Sequence, residues 1–174
     1  MSPLWKNIFN KSREEESLSH FLGTIPIFSE LTELDCAYLA TLAHVRNYAD
    51  KEIVFAEGDP GSGLYIVRSG RVKIFFFDGH HRERELAVLG PADFFGETTL
   101  AAPAMRTAAA RTIEKAQLVG FFRSDLLEVI QKSPQIANRL LLGLTRTMSE
   151  RLHAADQELQ RLQQALTIAE RGQA

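Results

Sequence analysis

The chain has 174 residues, enough for one domain or for one domain with an appendage. Its 45% hydrophobic and 24% charged residues are ordinary for a globular protein, and a net charge of −2 gives none of the basic footprint that nucleic acid requires. Cys36 is the single cysteine, which excludes an internal disulfide, a cysteine-rich zinc site and a four-cysteine iron–sulfur cluster.

The N-terminal stretch MSPLWKNIFNKSREEES has no apolar run of signal length. No segment reaches the roughly 20 apolar residues of a membrane span, so the expected compartment is the cytoplasm, without a membrane partner. From Ser12 to about His44 the pattern is helical, broken by Gly23 and Pro26, so that a short first helix ends near Leu22. Thr32-Glu33-Leu34-Asp35 then has the form of a helix N-cap with an acid at the third helical position. Leu34, Tyr38, Leu39 and Leu42 fit one face of the helix that follows.

From about Asn47 to Phe122 short strands replace helices. The candidates are EIVFAEG, GLYIVRSG, RVKIFFFDG, ERELAVLG and the stretch Thr107 to Phe122, with turns at DPGSG, RSGR and DGHHR. Strands at this spacing predict a sandwich or roll, and the lack of long helices between them argues against a doubly wound nucleotide fold.

Helix returns at Ser124, where Ser124-Asp125 can cap a short helix through Lys132. Ser133-Pro134 is an N-cap followed by proline at the first helical position, and apart from a tolerable Gly143 no breaker appears before Gly172. Leu141, Leu144, Met148, Leu152, Ala155, Leu159, Leu162, Leu166 and Ala169 step by three or four residues, with a stutter around Met148 to Leu152. A helix of about 35 residues outruns a small domain, so the pattern predicts pairing with a second copy; the alternative is that its first half packs on the domain and the rest frays. The units expected are therefore residues 1–24 as a helical arm, 25–132 as the domain and 133–174 as a long dimerisation helix.

One stretch within the strands stands apart. FGETTLAAPAMRTAAA sets Glu97 and Arg106 in a bed of alanines. An exposed ion pair contributes only about 0–1 kcal/mol, whereas small residues let a ligand approach the backbone while two charges grip its polar ends. On the residues alone both a structural ion pair and a pocket stay open.

GDPGSGLYIVRSGRVKI, followed by FFGETTL and then RTAAA, resembles the cyclic nucleotide-binding domain, in particular that of the Crp/Fnr (catabolite activator protein-like) group of bacterial regulators. The resemblance covers about Ile25 to Lys132 and the start of the long helix. It implies a mainly β fold, an eight-stranded jelly-roll-like β-roll with flanking helices and a long C-terminal helix. It also implies cAMP or cGMP as ligand, no cofactor, no metal and no catalytic residue. Carried over by position, Glu97 would accept the ribose 2′-hydroxyl proton and Arg106 would pair with the cyclic phosphate. Thr107 would offer its hydroxyl to a phosphate oxygen or to the base, and Gly96 and Ala108 would present backbone N–H groups. Thr98, in the turn after Glu97, joins these contacts.

The chemistry of the residues agrees: arginine has a permanent charge and a planar fork, and a carboxylate is acceptor-only. In an empty pocket Glu97 and Arg106 are expected to neutralise each other, with a short helix after Gly96 aiming N–H groups at an anion.

Thr98 and Thr99 depart from the family, which has an aliphatic and a very small residue there. In the family the long helix reads the base; here RLHAADQ, Arg151 to Gln157, offers His153 and Asp156. cAMP is favoured over cGMP, although Thr107 is a residue that cGMP-binding relatives use. Family transcription factors continue into a helix-turn-helix domain, which this sequence does not contain. No direct DNA contact is expected, and the downstream protein is unknown. The alternatives are the sensory half of a longer DNA-binding regulator, or a dimerisation module with an unused pocket. The His80-His81 pair reads as an exposed turn, with haem ligation the remote alternative.

Overall fold

Thr32 opens a helix as its sequence predicts. In the computed structural model its Oγ1 accepts a hydrogen bond from the Asp35 N–H at 3.2 Å, while the Asp35 carboxylate accepts from the Thr32 N–H at 2.9 Å. This reciprocal capping starts helix α2, Glu33–Leu42. It is preceded by helix α1 over residues 14–22 and by a single 3₁₀ turn, Pro26–Phe28. The structure describes residues 14–171, with side chains as far as Ile168; the first thirteen residues of the expected arm and the side chain of Ala169 lie outside it.

Ten strands follow: β1 (His44–Tyr48), β2 (Ile53–Phe55), β3 (Pro60–Gly61), β4 (Gly63–Ser69), β5 (Val72–Phe77), β6 (Glu83–Leu89), β7 (Phe94–Phe95), β8 (Ala104–Met105), β9 (Ala109–Thr112) and β10 (Ala116–Phe122). They form antiparallel sheets in the orders β1-β10-β4-β7 and β2-β9-β5-β6, with β3 and β8 as a small third pair. This is the mainly β roll with flanking helices and a long C-terminal helix that the sequence predicts. Two details differ. His44, expected at a helix end, starts β1, an edge strand of mixed character held by its pairing to β10. The stretch Thr107 to Phe122, expected as one strand, holds both β9 and β10.

β4 explains why GLYIVRS is apolar at nearly every position. Leu64 and Ile66 point to a core shared with α1, α2 and the later helices, while Val67 and, at its edge, Tyr65 point to the core between the two sheets. A sheet covered on both faces has no need of polar alternation. Leu118 against Val119 and Phe121 divides β10 in the same way.

Helix α3, Arg123–Lys132, begins with the Asp125 carboxylate accepting from the Phe122 N–H at 2.8 Å. Helix α4, Pro134–Arg171, runs for 38 residues. Its opening turns belong to the domain: Ala137, Leu140 and Leu144 are buried in the helical core. Gly143 is the contact point, because a Cβ there would stand 2.3 Å from the Ile27 carbonyl oxygen. Ion pairs from Arg139 to Asp35 and from Arg146 to Glu30 hold the same face.

The apolar stripe expected to begin pairing at Leu141 is thus divided. Leu144 is taken by the chain's own core, and Leu141 and Met148 pack at its edge. From Leu152 onward the stripe is bare, with Leu162 and Leu166 59% and 61% exposed. No helix among the described residues is long and apolar enough to cross a membrane.

Candidate functional site

Arg106 sits at the floor of a cavity of about 460 Å³, and the fold around it explains its position. The chain that brings it in is fixed on both sides, since the Arg106 N–H donates to the Asp59 carbonyl at 2.8 Å and its own carbonyl accepts from the Gly58 N–H at 2.8 Å. The DPGSG turn is therefore a splint for the arginine.

Beneath the guanidinium lies an aromatic platform. Phe55, Tyr65 and Phe95 stand with ring centroids 5.6 to 5.8 Å apart, and the Arg106 Cζ is 4.2 Å from the Phe55 centroid. The fork donates through Nη1 to the Gly96 carbonyl at 2.8 Å and through Nη2 to the Gly63 carbonyl at 2.9 Å. Both carbonyls come from glycines for a steric reason. A Cβ at Gly96, whose φ is +79°, would meet Nη1 at 2.5 Å, and one at Gly63 would meet the Phe121 carbonyl at 2.6 Å.

Arg106 is 7% exposed, and among the described residues it pairs with no carboxylate. Its Nε–H is buried without a partner. Burial pushes the guanidinium down from its ordinary value, opposed by Tyr65, Glu97 and Asp59. At neutral pH it remains a cation, tied only to neutral acceptors.

Glu97 does not neutralise Arg106 as the sequence suggested. Its carboxylate, 11% exposed, accepts from Arg151 Nη1 of α4 at 2.9 Å. Arg151 also donates through Nη2 to the Phe94 carbonyl at 3.1 Å and lies 4.0 Å from the Phe94 ring centroid. The segment after Gly96 is a single 3₁₀ turn, Glu97–Thr99, in place of the short helix expected.

Gly96, Glu97, Thr98, Arg106, Thr107 and Ala108 all line this cavity. Phe55, Ile74, Leu86, Leu89 and Phe94 supply its apolar wall, and Arg151 closes the side toward α4. His153 and Asp156 do not line it. Both are exposed on α4, and the His153 ring pairs with Gln157.

Arg151 is the residue that sequence reasoning passed over. The signal was there, since it opens RLHAADQ and directly precedes Leu152 of the stripe. What hid it was a tertiary contact over 54 positions. The described residues hold no cluster of three or more histidine, cysteine or acidic side chains able to bind a metal, and His80 and His81 lie exposed in the β5–β6 turn.

A buried arginine fork, a carboxylate and an apolar wall around one cavity can take a ligand with an anionic oxygen, a hydroxyl donor and a flat apolar body. The cyclic nucleotide-binding domain model matches residues 45–133, more than half the chain. The chain belongs to the cyclic nucleotide-binding domain family.

Among its relatives is the "Cyclic AMP receptor protein" of Thermus thermophilus, 36% identical over 134 residues, which are 77% of this chain and 60% of that protein. The "CRP-like cAMP-activated global transcriptional regulator" of Mycobacterium tuberculosis is 39% identical over 131 residues, 75% of this chain and 58% of that protein. The chain therefore spans about three fifths of the length of these curated relatives. In structure it is similar to the Thermus thermophilus catabolite activator protein, with a TM-score of 0.71 and 34% identity over 79% of this chain and 62% of the other. It is similar too to the N-terminal domain of a transcriptional regulator from Streptomyces coelicolor, with a TM-score of 0.70 and 31% identity over 75% of this chain and 94% of that domain. Within the family, then, this domain resembles those of CRP-like regulators, and no catalytic family is indicated.

Proposed function

We propose that the cavity binds a 3′,5′-cyclic purine nucleotide, cAMP in preference to cGMP, and that a homodimer joined through α4 reads the binding out. The observation that carries this reading is Arg106: a buried cation on the cavity floor whose fork meets only carbonyl oxygens. A cyclic phosphate supplies the single negative charge that the fork lacks. Glu97 would accept from the ribose 2′-hydroxyl, Thr107 would donate to the phosphate, and the base would lie along Ile74, Leu86 and Leu89.

Three further points support the parts of this reading. The preference for cAMP follows the relatives whose names carry it, at 36% and 39% identity. Thr107, a lining residue of the kind that cGMP-binding relatives use, is what keeps cGMP as the second candidate. The homodimer follows from the bare leucine stripe beyond Leu152, because an exposed apolar seam on a helix gains most by pairing. Readout through α4 follows from Arg151, which ties that helix to the carboxylate a ribose hydroxyl would engage. A ligand that binds one placement of α4 more tightly shifts its population. His153 and Asp156 are contacts to the base only if a partner's helix brings them there.

Calorimetric titration with cAMP and cGMP in parallel tests the ligand assignment. Saturable binding of cAMP, with cGMP weaker, is the expected outcome. No heat and no thermal shift with either at millimolar concentration would sink it.

A further inference from the structure

Thr99 is one of the two departures in FGETTL, a hydroxyl-bearing residue where the resemblance has a very small one, and it is 1% exposed. Its side chain reaches the same two carbonyl oxygens that hold Arg106. Thr99 Oγ1 lies 3.1 Å from the Gly96 oxygen and 3.4 Å from the Gly63 oxygen. It also accepts from the Gly63 N–H at 3.4 Å. With the Thr99 N–H at 3.4 Å, the Gly96 oxygen faces three donors, of which Arg106 Nη1 is the nearest at 2.8 Å.

A carbonyl oxygen has two lone pairs, so three donors are more than it needs. The Gly63 oxygen is less well supplied, with Arg106 Nη2 at 2.9 Å and only the long Thr99 contact besides. The two halves of the fork are therefore not equivalent. When Nη1 leaves, the Thr99 hydroxyl and N–H still donate to its carbonyl, whereas Nη2 would leave its own carbonyl only the long hydroxyl contact. The space beside Nε is closed as well. A Cβ at Gly61 would meet Thr99 Cγ2 at 2.7 Å and Arg106 Nε at 2.8 Å, so the threonine methyl and the arginine fill one gap together.

We infer that Thr99 is a positioning residue for ligand binding: its hydroxyl keeps a second, shorter donor on the Gly96 carbonyl when Arg106 turns Nη1 from that carbonyl onto an anionic oxygen of the ligand, with the Nη2–Gly63 bond as the pivot. This rests on the cyclic-nucleotide reading of the cavity. Without the hydroxyl, turning the fork would leave this part-buried Gly96 carbonyl with only the long Thr99 N–H contact at 3.4 Å, and the penalty would fall on the bound state alone.

The test compares wild type, Thr99→Val, Thr99→Ser, Arg106→Ala and the double variant Thr99→Val with Arg106→Ala. Each is titrated calorimetrically with cAMP and with cGMP and melted without ligand. Thr99→Val should weaken binding about three- to tenfold, the size expected for one lost hydrogen bond to that carbonyl. Thr99→Ser, which keeps the hydroxyl, should stay within about twofold of wild type. In the Arg106→Ala background Thr99→Val should add no loss, because no fork remains to turn. A purely packing role predicts otherwise: a lower melting temperature with unchanged affinity, or the same loss with and without Arg106. Either result would overturn the inference while leaving the cyclic-nucleotide assignment intact. Wild type that binds neither nucleotide would remove both.

Discussion

The two sides of the cavity are built on different terms. The sheet side is closed and local: Arg106 is pinned at its backbone by the DPGSG turn, at its fork by two glycine carbonyls and at its face by Phe55. The helix side is one long side chain, Arg151, 44% exposed, reaching from α4 to Glu97 and the Phe94 carbonyl. The contacts of the first come from chain outside α4; those of the second exist only while α4 lies where it does. A ligand that needs both sides would sense the helix, and one that used only the sheet side would not.

Breaking the sheet side should have the largest effect. Arg106→Ala is expected to cost about 2–4 kcal/mol of nucleotide binding, on the order of 30- to 900-fold, because a phosphate would then face apolar walls. Arg106→Lys should recover only part of this, since a point charge cannot reproduce the fork. Calorimetry on the two variants measures both.

Removing the support of the helix side comes next. Leu159→Glu with Leu162→Glu puts like charges across the proposed two-fold seam and should raise the dimer dissociation constant by about a hundredfold or more. Sedimentation equilibrium reads this directly, and a variant that remains dimeric would show that the stripe is not the interface. A subtler change cuts only the tie. Arg151→Gln removes a half-exposed ion pair, so affinity should move by about fivefold at most. The sharper expectation is that nucleotide no longer alters the strength of dimerisation, measured by sedimentation with and without ligand.

The smallest effect concerns where α4 is anchored. Burial pushes the Asp35 carboxyl up, but the Thr32 N–H and Arg139 outweigh it and hold it below its ordinary value of 3.8. A carboxylate depressed in the folded state adds stability above its unfolded value, and that stability is lost as pH falls through the folded one. Acid melting below about pH 4 should therefore be less steep in Asp35→Asn than in wild type, a comparison that thermal scans across pH 2 to 5 provide.

The sheet side was largely legible in the sequence, and the helix side was not. Gly96, Glu97, Arg106 and the alanines around them lie within sixteen residues, so their grouping needs only local folding. The cap at Thr32 and the proline start of α4 are local in the same sense. What stayed hidden depends on distant chain. Glu97 finds Arg151 across the β-roll, and β1 is a strand because β10 pairs with it. The division of the apolar stripe follows from Gly143 meeting Ile27, a contact that a 3.5-residue pattern cannot report. Thr99 shows a third kind of limit: its place was visible as a departure, but its two carbonyl partners were not.

The central claim is that the Arg106 fork receives the ligand's charge. Arginine side-chain NMR on ¹⁵N-labelled protein, titrated with cAMP and with cGMP, tests it most directly. The expected result is that the Arg106 Nε and Nη signals shift in step with saturation. Saturable binding with those signals unmoved would place the phosphate elsewhere and contradict it.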